Sequence, residues 1–140
     1  MKQVPMTIKE IYDLAKHSLL FNGCDESNAE AVASTVSKAE RDGSISHGLF
    51  RIPGYIASLK SKKVNGCSKP IIKKLSDSSI NVNGDFGFAP KAIQVGIPEL
   101  TKITKKTGVG VLTISNTHHF AALWPETEFL AERGLSGIAC

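Results

Sequence analysis

The feature that most limits the fold of this chain is a stripe of small apolar residues along its second predicted helix. The stripe recurs at three- and four-residue spacing, the period of one helix face, and consists of Ala29, Val32, Ala33, Val36 and Ala39. Small side chains let a second helix approach closely, so this face needs a helical partner. The preceding segment has the same periodicity in Ile8, Ile11, Leu14, Ala15, Leu19 and Leu20. We therefore expect the two helices to pack together.

Both helices carry candidate start signals. Thr7 and Glu10 have the spacing of a capping box, in which each side chain satisfies the backbone N–H of the other residue. Ser27 and Glu30 repeat this spacing, so we predict that the second helix begins there. Gly43 is its predicted end.

A third helix and a first pair of strands follow. We expect the third helix to begin near His47 and to continue through Tyr55 and Leu59. A polar, lysine-rich stretch separates it from two short apolar runs, residues 71–75 and 79–82, which we predict to be strands.

The second half of the chain continues with a helix, a strand and a helix. Pro90 suits the first turn of a helix that runs towards Thr107, and Pro98 is predicted to bend or interrupt it. The β-branched run "VGVLTIS", residues 109–115, is of strand length. A helix from residue 125 should stop at Gly134, and "LSGIAC" reads as the opening of a buried strand.

This order of elements predicts an α/β (α+β) fold in which N-terminal helices precede a mixed sheet with helices. We divide residues 1–140 into a helical part, 1–65, and an α/β part, 66–140, which we expect to be incomplete. A chain of 140 residues with 41% apolar and 21% charged residues is sufficient for one globular domain.

Charge and cysteine content narrow the classes of partner. The net charge of +4 comes from lysine-rich stretches, which we interpret as solvated faces because the chain lacks zinc-finger spacing and aromatic-basic interleaving. Cys24, Cys67 and Cys140 are far apart and form no CxxC pair, so neither a disulfide framework nor a zinc site is indicated. We find no apolar leader or spanning segment and expect a cytoplasmic protein without a nucleic-acid or membrane partner.

The stretch "SHGLFR" carries the first candidate site. His47 and Arg51 are four residues apart, so a helix beginning at or before His47 would put both on one face. Arginine offers a planar fork that matches a carboxylate, and histidine exchanges a proton near neutral pH. Ser46 lies where its hydroxyl caps a backbone N–H or touches the imidazole. This set suits reduction of a 2-oxo or 2-imino acid, although a helix cap with a surface ion pair explains the same residues.

The stretch "SNTHHFAALW" carries the second candidate site. It follows a predicted strand, and open α/β sheets bind ligands at the carboxyl ends of their strands. Asn116, His118 and His119 supply polar edges, while Phe120 and Trp124 supply stacking surfaces. Two adjacent histidines without a third ligand are a weak metal signal, so we predict no metal site. A GxGxxG motif after a strand and a Walker A motif are both absent, which argues against a Rossmann cofactor site.

Together these motifs resemble the malate/L-lactate dehydrogenase family, which uses NAD(P) on a non-Rossmann fold. "ISHGLFRIPGY" is similar to the family's Ser-His-Gly-x-x-Arg-x-Pro-x-Tyr signature, "SNTHHFAALW" to its Asn-Ser-x-His-Phe-Gly segment, and "GDFGFAPKAI" to its Asp-x-x-Gly-x-x-x-Ala stretch. The "HHFAALW" variant, with Ala121 and Ala122, is most similar to the Δ1-piperideine-2-carboxylate/Δ1-pyrroline-2-carboxylate reductases of the family.

The resemblance implies roles for individual residues. Ser46 would belong to a charge relay, His47 would donate the proton and Arg51 would bind the substrate carboxylate. The nicotinamide of NADPH, or of NADH, would lie against His119, Phe120, Ala121, Ala122 and Leu123. In some relatives the histidine matching His119 takes the acid/base role, so this choice stays open.

The resemblance also implies a larger assembly. Family members are more than twice this length, and a relay aspartate and the rest of the cofactor site lie in the part beyond residue 140. The implied protein is a homodimer that reduces a cyclic 2-imino acid to the L-amino acid. Two alternatives remain: a 2-hydroxy acid dehydrogenase of the malate, lactate or ureidoglycolate type, and a truncated, non-catalytic folding or interaction module.

Overall fold

The computed structural model describes residues 4–140 and begins with two packed helices, α1 (Ile8–Phe21) and α2 (Glu26–Arg41). The small-residue stripe is completely buried, with no exposed surface on Ala29, Val32, Ala33, Val36 and Ala39. Ala15 and Leu19 of α1 are equally buried and belong to the same apolar cluster. The predicted pairing of the two helices is confirmed.

The start of α1 is as predicted, and the start of α2 is not. Thr7 and Glu10 form the capping box, with the Glu10 N–H donating to the Thr7 hydroxyl at 3.2 Å. The prediction of a Ser27–Glu30 box is wrong, because the carboxylate of Asp25 accepts the Asn28 N–H at 2.8 Å and caps α2 two residues earlier. Aspartate with an extended backbone is a strong cap, and Ser27 then falls inside the first turn.

The third helix also begins later than predicted. Two short 3₁₀ turns, Ile45–His47 and Leu49–Arg51, precede α3 (Ile52–Lys60). Gly48 separates the turns with an extended backbone, φ −86° and ψ −142°, and Pro53 lies in the first turn of α3. The prediction that His47 and Arg51 share one α-helical face is therefore wrong.

A three-stranded mixed sheet follows, as predicted. β1 (Ile71–Lys74) pairs antiparallel with β2 (Ser79–Asn83), and β2 pairs parallel with β3 (Val111–Ser115). The parallel connection is α4 (Ala89–Thr107), which packs Ile97 and Leu100 against Ile80 of the sheet.

Pro98 does not interrupt α4, contrary to one of the predicted outcomes. The helix continues to Thr107 and ends at Gly108, which has a left-handed φ of 83°. Proline lacks the N–H that would bond the Gln94 carbonyl. Pro98 and Gln94 both lie on the exposed face of α4, where water can bond this carbonyl instead.

The parallel pair places the ends of β2 and β3 at the same edge of the sheet. Their following loops are joined by backbone hydrogen bonds, from Phe86 N–H to Asn116 O at 2.8 Å and from His118 N–H to Gly87 O at 2.8 Å. The second predicted site therefore lies at the carboxyl edge of the sheet, on a loop that is hydrogen-bonded to its neighbouring loop.

The last helix is α5 (Pro125–Ala131), and Gly134 follows it with a left-handed φ of 72°. The buried strand predicted for 135–140 is wrong: this segment has no regular structure, and Ile138 is 97% exposed. A strand needs a neighbour to satisfy its backbone groups, and residues 4–140 place none beside it. In the part of the chain that the structure describes, we find no helix with the length and apolarity needed to cross a membrane.

Candidate active site

The last turn of α2 fixes the 3₁₀ turns that carry the first predicted site. The Glu40 carboxylate accepts the Leu49 N–H at 2.7 Å. A Cβ at position 48 would overlap this carboxylate, so only glycine lets Glu40 reach across. The second turn, Leu49–Arg51, which carries Arg51, is therefore held against α2 by its backbone.

Two serine hydroxyls contact the same nitrogen of His47. Ser46 Oγ lies 3.0 Å from His47 Nδ1, and Ser44 Oγ lies 3.2 Å from it. The predicted contact between Ser46 and the imidazole is present, while Ser44 was not predicted. Both hydroxyls occupy the Nδ1 side, which leaves Nε2 as the ring nitrogen free to meet a ligand.

Arg51 is folded back over the first turn. Its Nε donates to the Ser46 carbonyl at 2.7 Å. The other two arginines, Arg41 and Arg133, form ion pairs with carboxylates. Among residues 4–140 no carboxylate pairs with Arg51, and its two Nη groups have no hydrogen-bond acceptor. A guanidinium in this condition has donors available for an incoming carboxylate.

The second half of the site is His119, in the loop after β3. Its backbone is left-handed, with φ 50°, and its Nδ1 lies 3.0 Å from the Ala121 backbone N–H and 3.2 Å from the Tyr55 hydroxyl. A backbone N–H can only donate, so Nδ1 is an acceptor here. These two hydrogen bonds assign the tautomer: the neutral imidazole carries its proton on Nε2.

The two halves act on each other electrostatically. Partial burial of the ring lowers the pKa of His119 below its ordinary value, and the charges of Arg51, His118 and His47 lower it further. His119 is exposed as a whole residue, although its Nδ1 edge is covered. The lowered pKa keeps the His119 ring neutral at neutral pH.

Tyr55 contacts His119 and was predicted as a helix residue and as the last position of the "ISHGLFRIPGY" motif, without a role in the site. Its side chain is buried, 5.0 Å from the Phe88 ring and 5.4 Å from the His119 ring between centroids. Burial raises the pKa of Tyr55 to about 12, so its hydroxyl stays protonated and donates to His119 Nδ1. Its position four residues after Arg51, one helical turn on, was the sequence signal.

The predicted cofactor segment divides into exposed and buried residues. Phe120 and Leu123 are 39% and 43% exposed, whereas Ala121 and Ala122 are buried. The exposed pair offers an apolar surface beside His119. Ala121 belongs to the apolar core, and both alanines are buried as whole residues, so they leave little surface for a ligand.

The clefts found among the described residues contain none of the predicted site residues. Among residues 4–140 no three His, Cys, Asp or Glu side chains converge as metal ligands. A cleft of about 200 Å³ between α2, α4 and α5 contains none of the predicted residues; Ile93, Ile97 and Phe129 line part of it. The predicted acid/base and anion-binding side chains lie outside this cleft: His47 and Arg51 are half-buried, and His119 is exposed.

Comparison with known proteins supplies the family. A sequence model described as malate/L-lactate dehydrogenase matches residues 6–140, almost the whole chain. The chain belongs to this family. The non-Rossmann fold predicted from the motifs is confirmed by the solved structures that it resembles.

Two curated relatives are reductases of cyclic imino acids by name. Delta(1)-pyrroline-2-carboxylate reductase 1 of Burkholderia ambifaria is 35% identical over 137 residues, which is 98% of this chain and 40% of the relative. The Delta(1)-pyrroline-2-carboxylate/Delta(1)-piperideine-2-carboxylate reductase of Pseudomonas syringae pv. tomato is 37% identical over 93% of this chain and 38% of the relative. The chain thus spans about 40% of the length of the relatives that it matches.

Two crystal structures have the same fold over this span. The delta1-piperideine-2-carboxylate reductase from Pseudomonas syringae superposes with a TM-score of 0.90 at 36% identity, over 94% of this chain and 40% of the other. The malate dehydrogenase from Entamoeba histolytica has a TM-score of 0.88 at 27% identity, over 95% and 37%. The same fold is therefore found in a reductase and in a dehydrogenase that are named for different substrates.

Proposed function

We propose that the protein containing this chain is an NAD(P)H-dependent oxidoreductase that reduces Δ1-pyrroline-2-carboxylate or Δ1-piperideine-2-carboxylate to the L-amino acid. The observation that carries the proposal is that, among residues 4–140, the Arg51 guanidinium has no carboxylate partner and keeps both Nη groups available for one. The names of the relatives with 35–37% identity support the imino acid substrate.

Arg51 is the proposed anchor of the substrate carboxylate. Its Nε bond to the Ser46 carbonyl holds the guanidinium in place. The two Nη groups can then donate to both carboxylate oxygens, an arrangement that lysine cannot reproduce. This contact fixes C2, the carbon next to the carboxylate, relative to the two histidines.

His47 is the proposed proton donor to the substrate nitrogen. Ser44 and Ser46 hold its Nδ1, so Nε2 is the atom from which the proton leaves. His119 is less suited to this step, because the lowered pKa keeps its ring neutral. Its Nε2–H is instead proposed to donate a hydrogen bond that orients the substrate or the nicotinamide.

A bound reduced nicotinamide supplies the hydride that C2 accepts. Phe120 and Leu123 would hold its flat ring, because both expose apolar surface next to His119. The proposed cofactor is NADPH or NADH.

Turnover by the protein at its natural length tests this proposal. We expect NAD(P)H oxidation with Δ1-pyrroline-2-carboxylate or Δ1-piperideine-2-carboxylate, and His47→Ala should lower kcat. Near-normal turnover of His47→Ala would transfer the acid role to His119. No turnover of either imino acid with either cofactor would reject the proposed substrate class.

A 2-hydroxy acid dehydrogenase is the second candidate, favoured by the fold shared with the Entamoeba histolytica malate dehydrogenase. Faster turnover of oxaloacetate or pyruvate than of the imino acids would support this dehydrogenase activity.

A non-catalytic module is the third candidate. It predicts that the chain fails to bind NADPH, measured by nucleotide fluorescence, and saturable binding would reject it.

The homodimer, the cytoplasmic location and the division at residues 65 and 66 are also part of the proposal. Leu14 and Phe21, seven residues apart on α1, are 48% and 91% exposed, which supports an apolar association face. Sedimentation of Phe21→Lys tests this face, because loss of the dimer is expected.

The proposed cytoplasmic location is supported by the free thiols of Cys24, Cys67 and Cys140, which are typical of a reducing compartment.

A further inference from the structure

Trp124, the only tryptophan of the chain, connects His47 to the end of α2. Its ring lies 5.9 Å from the His47 imidazole between centroids, at an interplanar angle of 76°. On its other side, the indole Nε1–H donates to Asp42 Oδ2 at 2.8 Å. The indole therefore bridges the imidazole and a carboxylate that comes from a different element.

Asp42 is itself held firmly. It is the C-terminal cap of α2, and Arg41 donates to both of its carboxylate oxygens, at 2.7 Å from Nε and 3.0 Å from Nη2. The same Nη2 donates to Glu128 of α5 at 2.7 Å. These bonds and the indole N–H lower the pKa of Asp42, so it accepts from Trp124 as a charged group.

We infer that Asp42 is a positioning residue for His47 and acts on it through Trp124. The inference rests on the proposed function of His47. Ser44 and Ser46 contact only one ring atom, Nδ1, and contacts to one atom leave the ring free to rotate about it. The indole, fixed at Nε1 by Asp42, lies edge-to-face beside the imidazole and restricts that rotation. The direction of His47 Nε2 is thereby set.

Tryptophan fluorescence measures this coupling directly in the 140-residue chain, without substrate or cofactor. A protonated imidazole quenches a neighbouring indole more strongly than a neutral one, so intensity should rise with pH as His47 loses its proton. Asp42, which contacts the indole, is linked to three other charged groups of α2 and α5 by ion pairs, namely Arg41, Glu128 and, through Glu128, Lys38. His47→Gln removes only the step that belongs to His47 and thus assigns it.

Asp42→Leu removes the acceptor, and the His47 step should shrink by at least half. Asp42→Asn keeps an oxygen acceptor and should preserve the step. Asp77→Leu, which removes an exposed aspartate paired with Lys74, is the matched control and should also preserve it. Circular dichroism checks that each variant folds. If Asp42→Leu does not fold, Asp42→Ser replaces it, because the serine side chain is too short to reach the indole Nε1.

An undiminished step in Asp42→Leu or Asp42→Ser would overturn the inference. A step that survives in His47→Gln would overturn it as well, because the indole would then report another group. The measurement needs no turnover, so either failure leaves the proposed reduction untouched. A protein without imino acid turnover would likewise leave the contact between His47 and Trp124 testable.

Discussion

Tyr55 and His119 are 64 residues apart in sequence, and the tyrosine hydroxyl lies 3.2 Å from Nδ1 of the histidine. The contact joins the helical half of the chain to the loop at the carboxyl edge of the sheet. The contact therefore places two sequence motifs side by side. One motif contains Arg51, one turn before Tyr55, and the other contains His119, in the loop after β3.

The charge of Arg51 should be measurable in the titration of His119. We expect NMR to give a pKa for His119 below the ordinary value of 6.5. Arg51→Met removes one of the causes and should raise that pKa. Arg133→Met, which alters an arginine paired with Glu132, is the control and should leave it unchanged. Equal values in both variants would place Arg51 away from the ring.

The same lowered pKa predicts a pH dependence of folding. Below about pH 6.5 the unfolded chain protonates His119 before the folded chain does. The stability contributed by the neutral ring is therefore complete above pH 6.5 and is lost as the pH falls through the folded pKa. His119→Asn cannot titrate, and asparagine tolerates the left-handed backbone. Urea unfolding should show wild type losing stability relative to this variant between pH 7.5 and 5; parallel pH profiles would contradict the prediction.

Gly48→Ala should disturb the turn Leu49–Arg51, which carries Arg51. The new methyl group overlaps the Glu40 carboxylate, so Glu40 must release the Leu49 N–H or the turn must move. Because the flexible Glu40 side chain can move aside, the main cost is its hydrogen bond to the Leu49 N–H, and we expect the free energy of unfolding to fall by roughly 1–3 kcal/mol. Gly54→Ala is the matched control: its Cβ meets no atom within 4 Å, and alanine in α3 should stabilise by roughly 0.5–1 kcal/mol. A neutral Gly48→Ala would show that the close approach is absent.

Helix positions could be predicted from the sequence because burial imposes a period. The stripe from Ala29 to Ala39 correctly predicted that α1 and α2 pack together, and the β-branched run correctly predicted β3. The start of the third helix could not be predicted in this way. It depends on a long-range contact, the Glu40 carboxylate reaching past Gly48, which has no periodic signature.

The candidate site shows the same division. His47, Arg51 and His119 were predicted from residue chemistry, and in the structure the charges of His47 and Arg51 contribute to the lowered pKa of His119. Ser44 and Tyr55 were missed, because a second serine near a histidine and a tyrosine in an apolar helix look structural until the tertiary contacts are known.

The thiols should differ sharply in reactivity. Burial raises the pKa of Cys24 to about 12, whereas Cys67 and Cys140 are exposed. At pH 8 a chromogenic disulfide reagent should label two thiols in the folded chain and the third only after denaturation. Cys24→Ala should leave the rapid phase unchanged, and three rapid equivalents in wild type would contradict the burial of Cys24.

The most direct test of the account is the KM for the cyclic imino acid in Arg51→Lys, measured in the protein at its natural length with Arg133→Lys as control. Loss of one charge-assisted hydrogen bond, about 1.5–3 kcal/mol, should raise KM roughly tenfold or more. Arg133→Lys should keep the wild-type value. A wild-type KM in Arg51→Lys would show that this guanidinium does not hold the carboxylate.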